Sequence, residues 1–149
     1  MVWAAFSFSG QVGLAFLDGR QNSPKYIETL EDHLMPFAEN IGGRNWQYQQ
    51  DDAPIHYSNA TKNYLNSKNV AVLEWPPMSP DLNPIKNVWR NMSRKVYENG
   101  RQFYSMNALN TAIESVWYNQ EPEILQTLIM TMEKRVCNVI LRNRKTLNY

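Results

Sequence analysis

Two aspartates, Asp51 and Asp52, stand at the end of the alternating segment NWQYQQD, residues 45–51. The weak alternation predicts a strand, so both carboxylates are expected at a strand end. Carboxylate oxygens are the ligands that hard divalent cations prefer, and metal-dependent chemistry is therefore one interpretation. Paired aspartates are also common in turns and helix caps. On these two residues alone, that structural alternative stays open.

A lysine stands at an unexpected place, the start of a helix. The segment SPDLNPIKNVWR, residues 79–90, predicts a loop that enters a helix, with Asn83 as its cap and Pro84 in the first helical position. Three residues after the cap, where Glu or Gln is favoured, stands Lys86. A cation there opposes the positive end of the helix dipole and costs about 0.3–1 kcal/mol. Helix stability therefore does not explain this lysine.

Other familiar reactive groupings find little support in the sequence. His33 and His56 are the only histidines, and neither has a Cys or carboxylate at zinc-type spacing, which favours structural roles. The sequence contains no Gly-rich phosphate loop and no nucleophile elbow. Cys137 is the only cysteine, which rules out an internal disulfide framework and favours a reducing compartment.

The elements that must position these residues follow from periodicity and turn signals. Residues 1–16 predict a β-hairpin that turns at Ser9-Gly10. The alternative of a secretory signal lacks a basic beginning, and no stretch approaches the roughly 18 apolar residues of a membrane span. Further predictions are helices at 24–39, 56–67, 85–96, 105–118 and 125–140, and a strand at 70–75. The sequence therefore predicts one mixed α/β domain with a helical C-terminus.

Composition and charge set broad limits on function. The 149 residues are 43% hydrophobic, which suits a single globular core, and the net charge is only +1. Residues 1–85 hold 5 Lys and Arg against 9 Asp and Glu, whereas residues 86–149 hold 10 against 5. This asymmetry permits contact with nucleic acid, although such charges are more often a solvated helix face. The basic residues that support the contact are Arg94, Lys95, Lys134, Arg135, Arg142, Arg144 and Lys145.

Three strings, taken together, resemble the mariner superfamily of cut-and-paste transposases, in particular its Tc-type branch. They are WQYQQDDAPIHYS, VLEWPPMSPDLNPIKNVW and the terminal MEKRVCNVILRNRKTLNY. Members of the family carry QQDNAPIH and WPPQSPDLNPIENVW at the corresponding places. The resemblance extends over essentially all 149 residues. It implies a ribonuclease H-like fold, a mixed sheet flanked by helices.

The resemblance also implies a chemistry. In the family, two aspartates and a glutamate hold two Mg²⁺ or Mn²⁺ ions, which promote phosphodiester cleavage and strand transfer on DNA. Asp51 matches the second aspartate, and Asp52 falls where the family usually has Asn. The glutamate lies thirty-four residues further on, at the position of Lys86. Because an ammonium group cannot ligate a divalent cation, we expect an inactive site in which Lys86 pairs with Asp51 as a monovalent substitute.

A second departure from the family concerns the beginning of the chain. The segment VWAAFS, residues 2–7, resembles the family's second strand. We therefore expect residues 1–149 to form a truncated catalytic domain without the first strand, its aspartate and the N-terminal helix-turn-helix region. Since the first strand is central in this fold, two strands must close the gap or an edge stays open to another chain.

Two acidic residues are possible substitute ligands beside Asp51. Glu74 ends the predicted strand at 70–75, and Asp52 adjoins Asp51. Asp81 has a simpler role as a loop and cap residue within SPDLNP. The sequence thus leaves several hypotheses: an inactive transposase-derived domain, a non-enzymatic module that binds nucleic acid or protein, or a gene fragment without a role. For the first two, DNA is the expected partner and the nucleus the expected location.

Overall fold

The computed structural model describes residues 1–41, 46–74, 76 and 79–141. Within these ranges the order of elements is β-β-α-α-β-α-α-β-α-α-α-α, which confirms a mixed α/β chain with a helical C-terminus. The strands are β1 Val2–Ser7, β2 Gly10–Phe16, β3 Gln47–Tyr48 and β4 Ala71–Val72. The helices are α1 Ser23–His33, α2 Met35–Ile41, α3 Pro54–Tyr57, α4 Asn59–Ser67, α5 Ile85–Val96, α6 Met106–Tyr118, α7 Pro122–Met130 and α8 Met132–Leu141.

The predicted N-terminal hairpin is confirmed. Strands β1 and β2 pair antiparallel, from Val2 opposite Phe16 to Ser7 opposite Gly10. Gly10 adopts a φ of +127° at the turn, a conformation that only glycine reaches without strain. Further along β2, a Cβ atom on Gly13 would lie 3.1 Å from the carbonyl oxygen of His33. The absent side chain therefore lets the hairpin approach the end of α1.

Three predicted helices prove to be pairs of shorter ones. The helix expected at 24–39 divides into α1 and α2, because Pro36 lacks the N–H that would continue the first helix. The helix expected at 56–67 begins earlier, at Pro54, and is interrupted at Ser58, whose Oγ accepts from Thr61 N–H at 3.2 Å and caps α4. The stripe at 125–140 divides at Thr131 into α7 and α8.

The sheet consists of two separate pairs. Strands β3 and β4 run parallel but have only two residues each, shorter than predicted, with Gln47 opposite Ala71 and Tyr48 opposite Val72. Among the described residues, β1 and β3 exchange no main-chain hydrogen bonds, so the hairpin and the parallel pair remain apart. Among the described strands, β1 pairs only with β2, so its other edge has no strand partner within these ranges.

Two apolar clusters cover opposite faces of the hairpin. Ala5 faces a cluster with Tyr26 and Leu30 of α1 and Leu65 of α4. Its neighbour Ala4 faces the second cluster, because successive strand residues point to opposite faces. The second cluster is built on α5, α6 and α7 and contains Val88, Met92, Trp117 and Leu125. The hairpin is therefore the middle layer between two groups of helices.

Some predictions fall outside the described residues. They include the helix stop at 42–44, part of the Pro-rich loop (Trp75, Pro77 and Met78) and the basic tail with Arg142, Arg144 and Lys145. Within the described ranges, no helix has the length and apolar character needed to cross a membrane.

Candidate functional site

The end of β3 and the start of α5 are held together by a side chain. Gln49 follows β3 directly, and its Nε2 donates to the carbonyl oxygen of Leu82 at 2.9 Å. Leu82 lies in a 3-10 turn, and Asn83 follows it with its Oδ1 3.3 Å from the N–H of Ile85. The predicted cap is therefore wrong by one residue, since the helix begins at Ile85 with Pro84 in the cap position, although Asn83 still accepts from the first helical N–H. This arrangement places the first turn of α5 beside Asp51.

Asp51 and Lys86 form an ion pair across this junction. Lys86 Nζ lies 3.2 Å from Asp51 Oδ2, and the two side chains are 47% and 41% exposed. This distance confirms the prediction from the sequence that Lys86 lies near Asp51. Because both groups are substantially solvated, the pair itself contributes only about 0.2–1 kcal/mol.

His56 is the third member of this cluster, and sequence reasoning missed it. Its Nδ1 lies 2.8 Å from Asp51 Oδ1 and 3.0 Å from the main-chain oxygen of Asp51. Both neighbours are acceptors, so Nδ1 carries a hydrogen. The sequence signal that could have found this contact is the spacing of Asp51 and His56 within DDAPIH. Pro54 lies between them and starts a helical turn, which folds the histidine back onto the aspartate. His56 was expected to be structural, and the structure adds a direct contact with the carboxylate of Asp51.

These partners change the acidity of Asp51. The hydrogen bond from His56, followed by that from Lys86, holds the pKa of the Asp51 carboxyl far below its usual range, although partial burial acts in the opposite direction. Asp51 is therefore ionised at neutral pH. Each of its two carboxylate oxygens has a hydrogen-bond donor. These donors occupy the positions where a metal ion would otherwise bind.

A polar network lies behind the cluster. The hydroxyl of the buried Tyr26 lies 3.0 Å from the hydroxyl of Tyr48 and donates to Gln50 Oε1 at 3.0 Å. Gln50 Nε2 donates in turn to the main-chain oxygen of His56 at 3.2 Å. The rings of Tyr26 and His56 have centroids only 4.2 Å apart. This network holds the His56 ring against Asp51 from the protein interior.

Asp52 and Glu74, the two possible substitute ligands, both lie near Tyr57 and do not complete a metal site with Asp51. Burial raises the pKa of Tyr57, and a hydrogen bond with Asp52 and the charges of Asp52 and Glu74 raise it further. Asp52 is therefore engaged with Tyr57. No group of three or more His, Cys, Asp or Glu side chains with metal-binding geometry occurs in the part of the chain that the structure describes. The residues present do not fit a divalent ion, since a cation already occupies the position beside Asp51.

The structure corrects the surface position that the sequence predicted for Arg135 of α8. It was grouped with charges on a solvated helix face, yet only 4% of the residue is exposed. Its Nη1 donates to the main-chain oxygen of Asp81 at 3.1 Å and to Asn87 Oδ1 at 2.9 Å. Asp81 therefore serves the loop through its carbonyl group. Arg135 ties the C-terminal helix to the start of α5, next to Lys86.

Solved structures with the same architecture define the fold of this chain. The structure of the Mos1 transposase catalytic domain with Mn superposes with a TM-score of 0.88 at 18% identity, over 99% of this chain and 76% of that one. A further structure of the Mos1 mariner catalytic domain gives 0.87 at 20% identity. The fold is accordingly ribonuclease H-like, as expected.

Sequence comparisons identify the family. The model described as DDE superfamily endonuclease matches residues 1–110. The transposable element Tc3 transposase of Caenorhabditis elegans is 33% identical over 149 residues, 100% of this chain and 45% of that protein. The Tcb1 transposase of Caenorhabditis briggsae is 33% identical over 95% of this chain and 50% of its own length. The chain therefore belongs to the DDE superfamily endonuclease family, with transposases of the Tc1/mariner type as its relatives, and spans about half of their length.

Proposed function

We propose that residues 1–149 form a single transposase-derived domain that has kept the family fold and lost metal-dependent DNA cleavage and strand transfer. The observation that carries this proposal is the contact between Lys86 Nζ and Asp51 Oδ2 at 3.2 Å. In relatives of this type, the resemblance implies a glutamate where Lys86 stands. A lysine offers no lone pair to Mg²⁺ or Mn²⁺ and repels either ion from Asp51.

The surroundings of Asp51 also disfavour metal binding. A divalent ion would have to displace the hydrogen bond from His56 at 2.8 Å as well as the ammonium of Lys86. Displacing both donors would cost the two contacts that stabilise the Asp51 carboxylate. The proposal therefore concerns this chain's own residues and holds whether or not further sequence precedes residue 1.

A plasmid-nicking assay tests the proposal. The chain, a Lys86→Glu variant and an Asp51→Asn variant are incubated with supercoiled DNA and Mn²⁺, with EDTA as the blank. We expect no nicking above the blank from the wild-type chain. Nicking by the wild-type chain that disappears in Asp51→Asn would overturn the proposal, because it would show that the Asp51 site works with a lysine in place.

We further propose that DNA is the partner of this domain, acting in the nucleus. Related support comes from Mos1, for which structures include a paired-end complex with the left transposon end. In this chain, Arg94 and Lys95 lie exposed on α5. Binding of a labelled duplex is followed by fluorescence anisotropy at increasing salt. For each phosphate that the protein neutralises, log K should fall by about 0.9 for every tenfold rise in salt concentration. Absence of binding even at low salt would refute this partner.

The open sheet edge supports self-association as a second interaction. Because Met1 and Leu17 exchange main-chain hydrogen bonds of 2.7 and 2.9 Å, the antiparallel alternation turns the amides of Val2 and Ala4 away from β2. We propose that this edge accepts an extended strand of a second copy. Sedimentation at several concentrations should show dimers, and Val2→Pro, which removes one edge-facing N–H, should weaken them. A monomer at all concentrations would refute self-association.

A further inference from the structure

Three cations follow one another along one side of α5. Lys86, Arg90 and Arg94 are four residues apart and all exposed. Residues at this spacing lie on the same side of a helix, about 6 Å apart along its axis. The buried Val88 and Met92 lie on a different side, which packs into the second apolar cluster. The cationic side of α5 therefore faces solvent.

The charge of this helix is of one sign. Residues 85–97 contain four cations and no Asp or Glu, the cations being Lys86, Arg90, Arg94 and Lys95. A surface of this kind attracts a polyanion. Duplex DNA carries about one negative charge for each 1.7 Å of its axis, so several cations on one helix side can each neutralise a phosphate.

Asp51 is the group that would oppose a phosphate at the start of this row. Its side chain is 41% exposed, and a carboxylate repels an approaching phosphate. Lys86 Nζ lies 3.2 Å from Asp51 Oδ2, yet the lysine side chain is itself 47% exposed. An ammonium group has three N–H donors, so its contact with one carboxylate oxygen leaves donors for a second anion. The geometry therefore allows Lys86 to contact the Asp51 carboxylate and a phosphate together.

We propose that this side of α5 binds the phosphate backbone of duplex DNA, and that Lys86 makes the binding independent of a divalent ion. Lys86 holds a phosphate next to Asp51, and Arg90 and Arg94 contact phosphates further along the helix. A duplex fits because contacts of this kind go to phosphates and need no access to base edges. The inference rests on the proposed DNA partner, and it follows from the disagreement between Lys86 and a metal site.

Two variants with one control test the surface. Lys86→Gln and Arg94→Gln remove one phosphate partner each, and Lys25→Gln removes an equal charge from α1, on the other side of the hairpin. Binding of a labelled duplex is measured by anisotropy in EDTA at several salt concentrations. We expect the wild-type chain to bind without a divalent ion. Each α5 variant should bind several-fold more weakly, with a slope of log K against log salt smaller by about 0.9, and Lys25→Gln should bind like the wild type.

Lys86→Glu tests the exchange of a lysine for a metal. In EDTA it places a second carboxylate beside Asp51 and should bind the duplex several-fold more weakly than Lys86→Gln. Mn²⁺ should remove this difference, and Lys86→Gln is the control because Mn²⁺ competes equally for the phosphates in both variants. A difference that Mn²⁺ leaves unchanged would show that Lys86 does not replace a divalent ion.

The same measurements separate this inference from the proposed partner. If the wild-type chain binds no duplex at low salt, with or without Mn²⁺, the proposed partner is wrong. If it binds only when Mn²⁺ is present, the partner stands and the role of Lys86 is refuted. If it binds in EDTA and both α5 variants behave like Lys25→Gln, the assignment to this side of α5 is refuted.

Discussion

Replacing Lys86 with glutamate is expected to exchange an ion pair for a divalent cation site. Without metal, the variant loses a solvated pair worth about 0.2–1 kcal/mol. It also places two carboxylates about 3–4 Å apart, where they repel by about 1 kcal/mol even at the dielectric constant of water. Removing the lysine from the start of α5 returns about 0.3–1 kcal/mol, and the interaction of the new acidic residue with the helix dipole returns about the same amount again. The balance is a small destabilisation of about 0.3 kcal/mol, or about 1 °C in melting temperature for a chain of this size.

With Mn²⁺ the sign reverses. The variant presents Asp51 and a second carboxylate to the same point, and a metal that binds only the folded state stabilises it by about 2.7 kcal/mol at a hundredfold excess over Kd. The melting temperature should then rise by about 5–11 °C. The wild-type chain should not respond, because Lys86 Nζ lies 3.2 Å from Asp51 Oδ2.

The assay is a thermal melt with Mn²⁺ or EDTA on the wild-type chain, Lys86→Glu and Lys86→Gln. Lys86→Gln removes the charge without adding a carboxylate ligand and is the matched control, so it should gain much less from Mn²⁺. A metal-free Lys86→Glu variant more stable than the wild type by over about 1 kcal/mol would refute the pairing of Lys86 with Asp51. An equal response of the wild type to Mn²⁺ would refute the claim that Lys86 excludes the metal.

Two further predictions concern stability. The folded-state pKa of Asp51 is depressed by His56 and Lys86, so its contribution is complete above the unfolded pKa of about 3.9 and is lost as pH falls below it. Urea unfolding from pH 7 to 3 should show a smaller acid-side loss in Asp51→Asn, and identical profiles would contradict the assignment. Arg135→Met removes the donor to two partly buried acceptors and should destabilise by about 1–3 kcal/mol, with partial recovery in Arg135→Lys. A cost below about 0.5 kcal/mol in urea would show that Arg135 does not hold the start of α5.

Local signals in the sequence located most of the elements, although not their interruptions, and motif strings indicated the family. The hairpin at Ser9-Gly10 and the beginnings of α5 and α6 follow from alternation, turn residues and caps, which act over a few residues. The strings around Asp51 and Lys86 predicted the ribonuclease H-like fold. They also predicted that Lys86 lies beside Asp51, although thirty-four residues separate the two.

The tertiary structure alone decided the partners that come from other elements. His56 reaches Asp51 only because α3 turns back, and Arg135 is buried only because α8 packs on the turn before α5. Composition and periodicity identify which residues are polar or charged. Burial and hydrogen bonding are decided when distant segments exclude water from them, and that requires the packed chain.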